Sequence, residues 1–240
     1  MSLTRLFPPT DIPLDLGDEA EHDLLVNLYR PPRAEWLRLN LIGSVSGSAA
    51  GIDGTSETLT NPTDRMILRI IRDLSDVVLV GAASVRAEGY FVPRHAALAV
   101  VTGSGDLSGH RIRSGGKRGA LLIVCPSSAV PTVTRTLGDT TAEIIEVADS
   151  GGRMTAGAIV DGLRAAGYQS IVCEGGPGLA AQCVNAGLVD EFCLTTSPVL
   201  NGASLPLFGG HEFAERRLTL TQLLSDESSF LYGRWALQAR

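Results

Sequence analysis

Cysteine is scarce in this chain and carries no metal or redox pattern. The four residues, at positions 125, 173, 183 and 193, form no C-x-x-C pair. Cys125, Cys173 and Cys193 each stand inside an apolar, strand-like run, so the set reads as small buried hydrophobes rather than as disulfide partners or metal ligands. The four histidines (His22, His95, His110 and His211) are scattered, without H-x-x-x-H or H-x-E spacing, which speaks against a zinc site. No apolar run reaches the roughly 18 residues of a membrane span. Pro8 and Pro9 interrupt the N-terminal stretch where a signal peptide would carry its apolar region. Long basic runs are missing too. The net charge is −6 and basic patches are short, as in His110 to Arg118, an argument against nucleic acid as the main partner. These absences leave a soluble, cytoplasmic protein that acts on a small molecule and needs no metal.

What is present is a large apolar fraction, 44% of 240 residues. That is enough for one sizeable α/β domain, or two small ones, without covalent staples. Residues 1–34 are rich in proline, carry an acidic patch from Asp15 to Asp23, and contain one helical stretch, Glu19 to Tyr29. They read either as an arm lying on the domain or on a partner subunit, or as a disordered leader. From residue 35 to 240 no linker-like composition divides the chain, so a single domain is expected there.

Within that domain the periodicity changes repeatedly. Residues Trp36 to Val45 alternate as a half-buried strand and run into the small residues Ser46 to Gly51. Asn61 and Pro62 are placed as N-cap and first residue of a helix that carries Met66, Ile67, Ile70, Ile71 and Leu74 on one face. Arg65, Arg69 and Arg72 lie on the other side, either as a solvated face or, for Arg72, as an anion ligand. Asp76 to Gly81 is a buried strand that leads through small residues into a short helix, Ala82 to Ala87, with Ser84 in its first turn. Further strands are expected at Ala97–Thr102, Ala120–Cys125, Ala142–Val147 and after Gly187, with an amphipathic helix over Met154–Arg164. The loop after Thr102, through Ser104, Arg111, Arg113, Lys117 and Arg118, suits a 2′-phosphate or simply solvent. Two alternating segments, Arg217–Leu223 and Phe230–Leu237, predict an antiparallel hairpin on the edge of a largely parallel sheet of eight or nine strands.

One stretch draws these together: Cys173-Glu174-Gly175-Gly176-Pro177-Gly178-Leu179, a strand end turning into a helix. Such a turn offers bare backbone N–H groups and the positive end of a helix dipole to an anion. Taken alone, adjacent glycines are as well explained by a tight turn.

Taken in order, Ser44-Val45-Ser46-Gly47, the helix ending in Ile70-Ile71-Arg72, Asp76 to Tyr90, Glu174-Gly175-Gly176-Pro177 and Ser197-Pro198-Val199-Leu200 resemble the reductase domain of bacterial riboflavin biosynthesis. That is the pyrimidine reductase family. The resemblance spans roughly residues 35 to 237. It implies a three-layer α/β, dihydrofolate-reductase-like fold, and NADPH-dependent reduction of 5-amino-6-(5-phosphoribosylamino)uracil, a chemistry that needs little covalent help from the protein and two ligands held face to face. By the same resemblance Gly43, Gly81, Ser84, Glu88 and Gly175, Gly176, Pro177, Gly178 and Leu179 hold NADPH, with Thr102 or Ser104 toward its adenosine. Asn40, Ser44, Ser56 and Arg72 meet the substrate, Arg72 at its phosphate. Glu174 lies between the two ligands as a catalytic group, and the enzyme is implied to be a homodimer.

Two departures stand out. The family's Ser-Leu-Asp-Gly is here Ser44-Val45-Ser46-Gly47, so Ser46 occupies the place of a catalytic aspartate. A hydroxyl positions a ring but does not relay a proton as a carboxylate does. The H-x-E and P-C-x-x-C signatures of the deaminase domain carried by many relatives are missing. Ser46 therefore leaves two alternatives beside the main reading: a reductase of dihydrofolate or another pterin-like ring, and a non-catalytic paralogue that binds NADPH or a metabolite.

Overall fold

The computed structural model describes residues 2–9, 14–15, 18–113, 119–151, 153–202 and 205–238; Lys117 and Arg118, part of the expected basic loop, lie outside them. In the N-terminal segment two strands stand where none was expected, β1 (Ser2–Phe7) and β2 (Leu14–Asp15). Of β1 only Leu3 is buried, and one inward residue is too little for an alternating pattern to declare itself. Helix α1 (Glu19–Tyr29) follows, capped by Asp18, whose carboxylate accepts from the backbone N–H of Ala20 and Glu21.

The alternating run forms β3 (Trp36–Ser44), and α2 (Pro62–Asp73) starts as its signals require, with Asn61 accepting from the Asp64 N–H. Next come β4 (Val77–Gly81), α3 (Ala82–Ala87), β5 (Tyr90–Phe91), β6 (Ala97–Val101), β7 (Ile112–Arg113) and β8 (Leu121–Cys125). Helix α4 (Val130–Leu137) was not foreseen. It is only eight residues long and carries proline at its second position, Pro131, after a 3-10 turn, too short for a clear helical period. The second half holds β9 (Glu143–Glu146), β10 (Asp149–Ser150), β11 (Arg153–Met154), α5 (Ala156–Ala165), β12 (Ser170–Cys173) and α6 (Pro177–Asn185). Strands β13 (Glu191–Ser197), β14 (Leu218–Asp226) and β15 (Leu231–Leu237) complete it.

Among the described residues eleven strands make one sheet, in the order β2-β1-β14-β15-β13-β3-β12-β4-β6-β8-β9, and β5/β7 and β10/β11 pair separately. From β13 to β9 every neighbour is parallel; from β13 outward to β2 every neighbour is antiparallel. The expected hairpin is thus β14 and β15, and the N-terminal strands extend its edge. The strand pleat sorts the core into two layers. Val78, Val80, Leu98, Val100 and Ile123 face α2, α3 and α4, whereas Leu37, Leu39, Val77, Leu79 and Val124 face α5 and α6. Each fully buried aliphatic side chain contributes roughly 1.5–3 kcal/mol, and both faces are covered, as a parallel sheet demands.

Residues before β3 are tied to the sheet by a buried ion network. Glu191 accepts from Arg38 Nε at 2.5 Å and Arg234 Nε at 2.7 Å, and Arg38 also donates to the Tyr29 carbonyl at 2.6 Å. The four cysteines are free and buried, and burial pushes the Cys193 thiol up to about 12. Among the described residues no helix is long and apolar enough to cross a membrane, and no three metal-ligating side chains cluster.

Candidate active site

Strands β3, β4 and β12 run parallel, so their carboxyl ends share one edge of the sheet, the edge where open α/β sheets bind ligands. There the Gly81 N–H donates to the Gly175 carbonyl at 2.9 Å and the Glu174 N–H to the Leu79 carbonyl at 3.0 Å. The two strand-to-helix turns are thereby held side by side. Gly175 has φ of +89°, a conformation open to glycine and strained for other residues. A Cβ on Gly176 would stand 3.1 Å from Ser84 Oγ, a close contact with the end of one small side chain. Gly176 is also the N-cap of α6 and supplies no capping side chain.

These turns form one wall of a cavity of about 480 Å3. A second wall is the α2 face carrying Asp64, Leu68 and Arg72, at the i, i+4, i+8 spacing of one helical side, with Arg65 beside them. The loop 54–57 closes the mouth, and Leu205 and Leu207 cover the side toward β3. Asp53 orders that loop by accepting from the Thr55 N–H, the Thr55 hydroxyl and the Thr58 hydroxyl.

At the floor Arg72 donates to both oxygens of Glu174, Nε to Oε1 and Nη2 to Oε2, each at 2.7 Å. The guanidinium lies 5.9 Å from the centre of the Tyr90 ring, within cation–π range. Burial pushes the Tyr90 phenol well above its ordinary value, and Glu174 and Glu88 add to the rise. Asp64 is 9% exposed; its Oδ2 accepts from the Thr60 hydroxyl at 2.6 Å. Burial raises its pKa against the lowering pull of the Thr60 and Thr195 hydroxyls and of Arg65, and the charge of Glu174 raises it further.

The cavity brings together Asn40, Ser56, Arg72, Ser84, Glu88, Glu174, Gly176 and Pro177 of the expected site. Some of these have other attachments. Arg72 is engaged by Glu174, and Glu88 accepts from both the N–H and the hydroxyl of Ser56 at 2.9 Å, pinning the loop. Ser46 is not in the cavity wall. Beyond β3 the chain turns at Gly47 (φ +87°), and Ser46 is exposed, its hydroxyl donating to the Asn201 carbonyl at 2.5 Å and lying 2.9 Å from Ser44 Oγ. Ser44 is buried behind it and accepts from the Ser48 N–H. Gly43 is covered by Leu207. Gly81 and Gly175 stand behind the wall, Gly178 faces His211, and Leu179 packs in the core beneath α6. Thr102 and Ser104 accept from the backbone of their own turn, at Gly105 and Asp106, one strand away from the cavity. Asp64 and Tyr90 were the residues missed. Asp64 stands two helical turns before Arg72 on the same face, and that spacing was the signal available in the sequence.

A family model described as the RibD C-terminal domain matches residues 35–232. No curated protein matches the sequence. Among solved structures, a pyrimidine reductase-like protein from Corynebacterium diphtheriae aligns with a TM-score of 0.73 at 22% identity, over 91% of this chain and 99% of its own. A diaminohydroxyphosphoribosylaminopyrimidine deaminase/5-amino-6-(5-phosphoribosylamino)uracil reductase from Thermotoga maritima gives 0.69 at 17% identity, over 88% of this chain and 58% of its own. The riboflavin biosynthesis reductase Rib7 of Saccharomyces cerevisiae gives 0.62 at 13%, over 90% and 98%. At these identities the likeness is one of fold.

Proposed function

The chain belongs to the RibD C-terminal domain family, and from that premise we propose that it is an NADPH-dependent reductase of a phosphoribosylamino-pyrimidine, with 5-amino-6-(5-phosphoribosylamino)uracil as the type substrate. The observation that carries this reading is the cavity itself: two glycine turns on one side and a charged α2 face on the other, at the carboxyl edge of the sheet.

The residues present fit a dinucleotide. The space a Gly176 Cβ would fill is bounded by Ser84 Oγ, which leaves backbone and a hydroxyl, rather than bulk, for a phosphate to meet. In this reading Ser84, Gly176 and Pro177 hold NADPH, whose chemistry when bound is the delivery of a hydride from nicotinamide C4. Asn40, Ser56 and the α2 face hold the ring and sugar of the substrate. Arg72 fixes Glu174 in one orientation and Tyr90 supports the guanidinium from below, so the floor is rigid before ligands arrive. The 5′-phosphate goes to Arg65 at the mouth. Its pair with Glu57 is exposed on both sides and is exchanged at a cost of about 0–1 kcal/mol, unlike the buried bond of Arg72 to Glu174. A homodimer in the cytoplasm is part of this reading, and light scattering tests the assembly.

One observation favours a second substrate class. Both guanidinium groups in the cavity wall, Arg65 and Arg72, already face carboxylates, and a further acid of the wall, Asp64, is buried. A phosphate-free pterin ring such as dihydrofolate suits that wall. Following NADPH absorbance with each substrate decides between them: loss with the phosphoribosylamino-pyrimidine supports the first reading, loss with dihydrofolate alone the second. No loss with either, together with no thermal stabilisation by NADPH at 100 times a micromolar Kd, where linkage gives about 2.7 kcal/mol, refutes both.

A further inference from the structure

We propose that Glu88 is a positioning residue that holds the loop over residues 51–58 in place through Ser56, so that the mouth of the cavity is ordered before substrate enters. This rests on the reductase reading above, and it assigns Glu88 to the substrate loop rather than to the cofactor.

The loop hangs between two buried anchors, Ala50 and Leu59. Its internal bonds are its own: the Gly51 N–H donates to the Thr55 carbonyl, the Gly54 N–H to the Gly51 carbonyl, and Asp53 gathers Thr55 and Thr58. Those bonds set the shape of the loop but not its place on the domain. Ile52 adds no packing, since it is 99% exposed. Among the described residues two side-chain contacts tie the loop to other elements. One is Glu57 with Arg65 on α2, exposed on both sides and therefore a loose hold. The other is Ser56, whose N–H and hydroxyl both donate to Glu88 Oε1 at 2.9 Å. A bond to a carboxylate is roughly twice as strong as one between neutral groups, and two bonds on one oxygen fix the backbone and the side chain of Ser56 together.

The post that carries this latch is itself held. Glu88 is the C-cap of α3, and its N–H donates to the Ser84 carbonyl at 2.8 Å. Arg111 grips the same helix end, its N–H on the Val85 carbonyl at 2.8 Å and its Nη1 on the Ala87 carbonyl at 2.7 Å. Two residues on, Tyr90 is buried in the core. When the latch opens, the loop is therefore what moves, and α3 stays.

The consequence for the reaction follows from where the loop lies. Gly54, Thr55, Ser56 and Glu57 line the mouth, and Ser84, one helical turn before Glu88, lines the side assigned to the cofactor. A loop already in place spares the substrate the cost of ordering it on binding. Glu88 thus acts on substrate affinity and leaves the reacting atoms untouched.

The test compares wild type, Glu88→Ala and Glu88→Gln, whose amide oxygen can still accept from Ser56. In the free protein, hydrogen exchange over residues 51–58 is expected to quicken by about tenfold or more in Glu88→Ala while β4 and α5 keep their protection. KM for the phosphoribosylamino-pyrimidine rises by about tenfold, as loss of a bond to a charged group implies. Saturated kcat and NADPH affinity by fluorescence stay within about threefold, the signature of lost uniform binding. Glu88→Gln falls between wild type and Glu88→Ala in both exchange and KM. Unchanged exchange over 51–58 in Glu88→Ala overturns the proposal, as does a loss of NADPH affinity with KM for the pyrimidine unaltered, which makes Glu88 a cofactor ligand. A wild type inactive on both the phosphoribosylamino-pyrimidine and dihydrofolate overturns the reductase reading instead, and the exchange result, which needs no ligand, still decides whether Glu88 orders the loop.

Discussion

Arg72 and Glu174 lie 102 positions apart in the sequence and meet through two parallel N–H···O bonds of 2.7 Å at the cavity floor. The pair joins α2 to the turn after β12, the two elements that face each other across the site. Its Arg side chain is 23% exposed and its Glu side chain 7%. Replacing Glu174 by Gln leaves the guanidinium without a counter-charge in a mostly buried place. The expected cost is about 2 kcal/mol, between the 0–1 of exposed pairs and the 3–5 of fully buried ones. In urea unfolding the double variant Arg72→Met/Glu174→Gln should lose clearly less than the sum of the single losses. Additive losses would mean that the two residues act independently.

The glycine turn makes a sharper distinction between fold and function. At Gly176 a side chain meets first Ser84 Oγ, the end of a small side chain that can rotate away, so Gly176→Val is expected to keep a near-native melting temperature. The new side chain nonetheless occupies the surface assigned to the cofactor, and NADPH binding by fluorescence titration should fall by at least tenfold. Wild-type affinity in that variant removes the turn from the cofactor site. Gly175→Ala is expected to behave in the opposite sense, losing about 1–2 kcal/mol of stability because φ is +89° there.

Local chemistry was legible in the sequence and long-range placement was not. Asn61 and Pro62 start α2 where they were expected to, because a cap is a contact between residues three apart. The buried strands β4, β6 and β8 show as apolar runs for the same reason. Glu174 was placed correctly at a strand end, but its partner Arg72 was assigned to a phosphate, since nothing local tells a guanidinium which anion it will meet. Ser46 is a different case: motif position put it in the site, whereas after the turn at Gly47 its hydroxyl donates to Asn201 outside the cavity wall. Asp64 was passed over because two of the groups that act on it, the Thr195 hydroxyl and the Glu174 charge, arrive from distant strands.

The network at Glu191 predicts how the fold responds to acid. Burial works to raise the Glu191 pKa, but Arg38 and Arg234 together prevail and hold it below the ordinary carboxylate range. A carboxyl whose pKa is depressed in the folded state stabilises above its unfolded pKa of about 4.3, and that contribution is lost as pH falls through the folded value. Wild-type stability should therefore decline below about pH 4.3 with a share from this site of up to 1.4 kcal/mol per pH unit. Glu191→Gln should show a shallower decline from a starting stability lower by about 3–5 kcal/mol, since Arg38 is left buried and unpaired. An acid limb of unchanged slope in the variant would assign the acid sensitivity to other carboxylates.

Arg65 and Arg72 separate the substrate readings. If the 5′-phosphate docks at the mouth, Arg65→Ala raises KM for the phosphoribosylamino-pyrimidine by about 10-fold or more, as loss of a charge-assisted contact of roughly 1.5–3 kcal/mol implies. The same change leaves KM for dihydrofolate within about twofold and kcat for both substrates unaltered, because the side chain is 52% exposed and distant from the reacting carbon in this reading. Raising the salt concentration should weaken phosphate-dependent binding in the wild type and have little effect in Arg65→Ala. Should Arg72→Lys instead raise KM for the phosphorylated substrate alone, with Arg65→Ala silent, the phosphate sits at the floor, and Glu174 must then release Arg72 when the substrate enters.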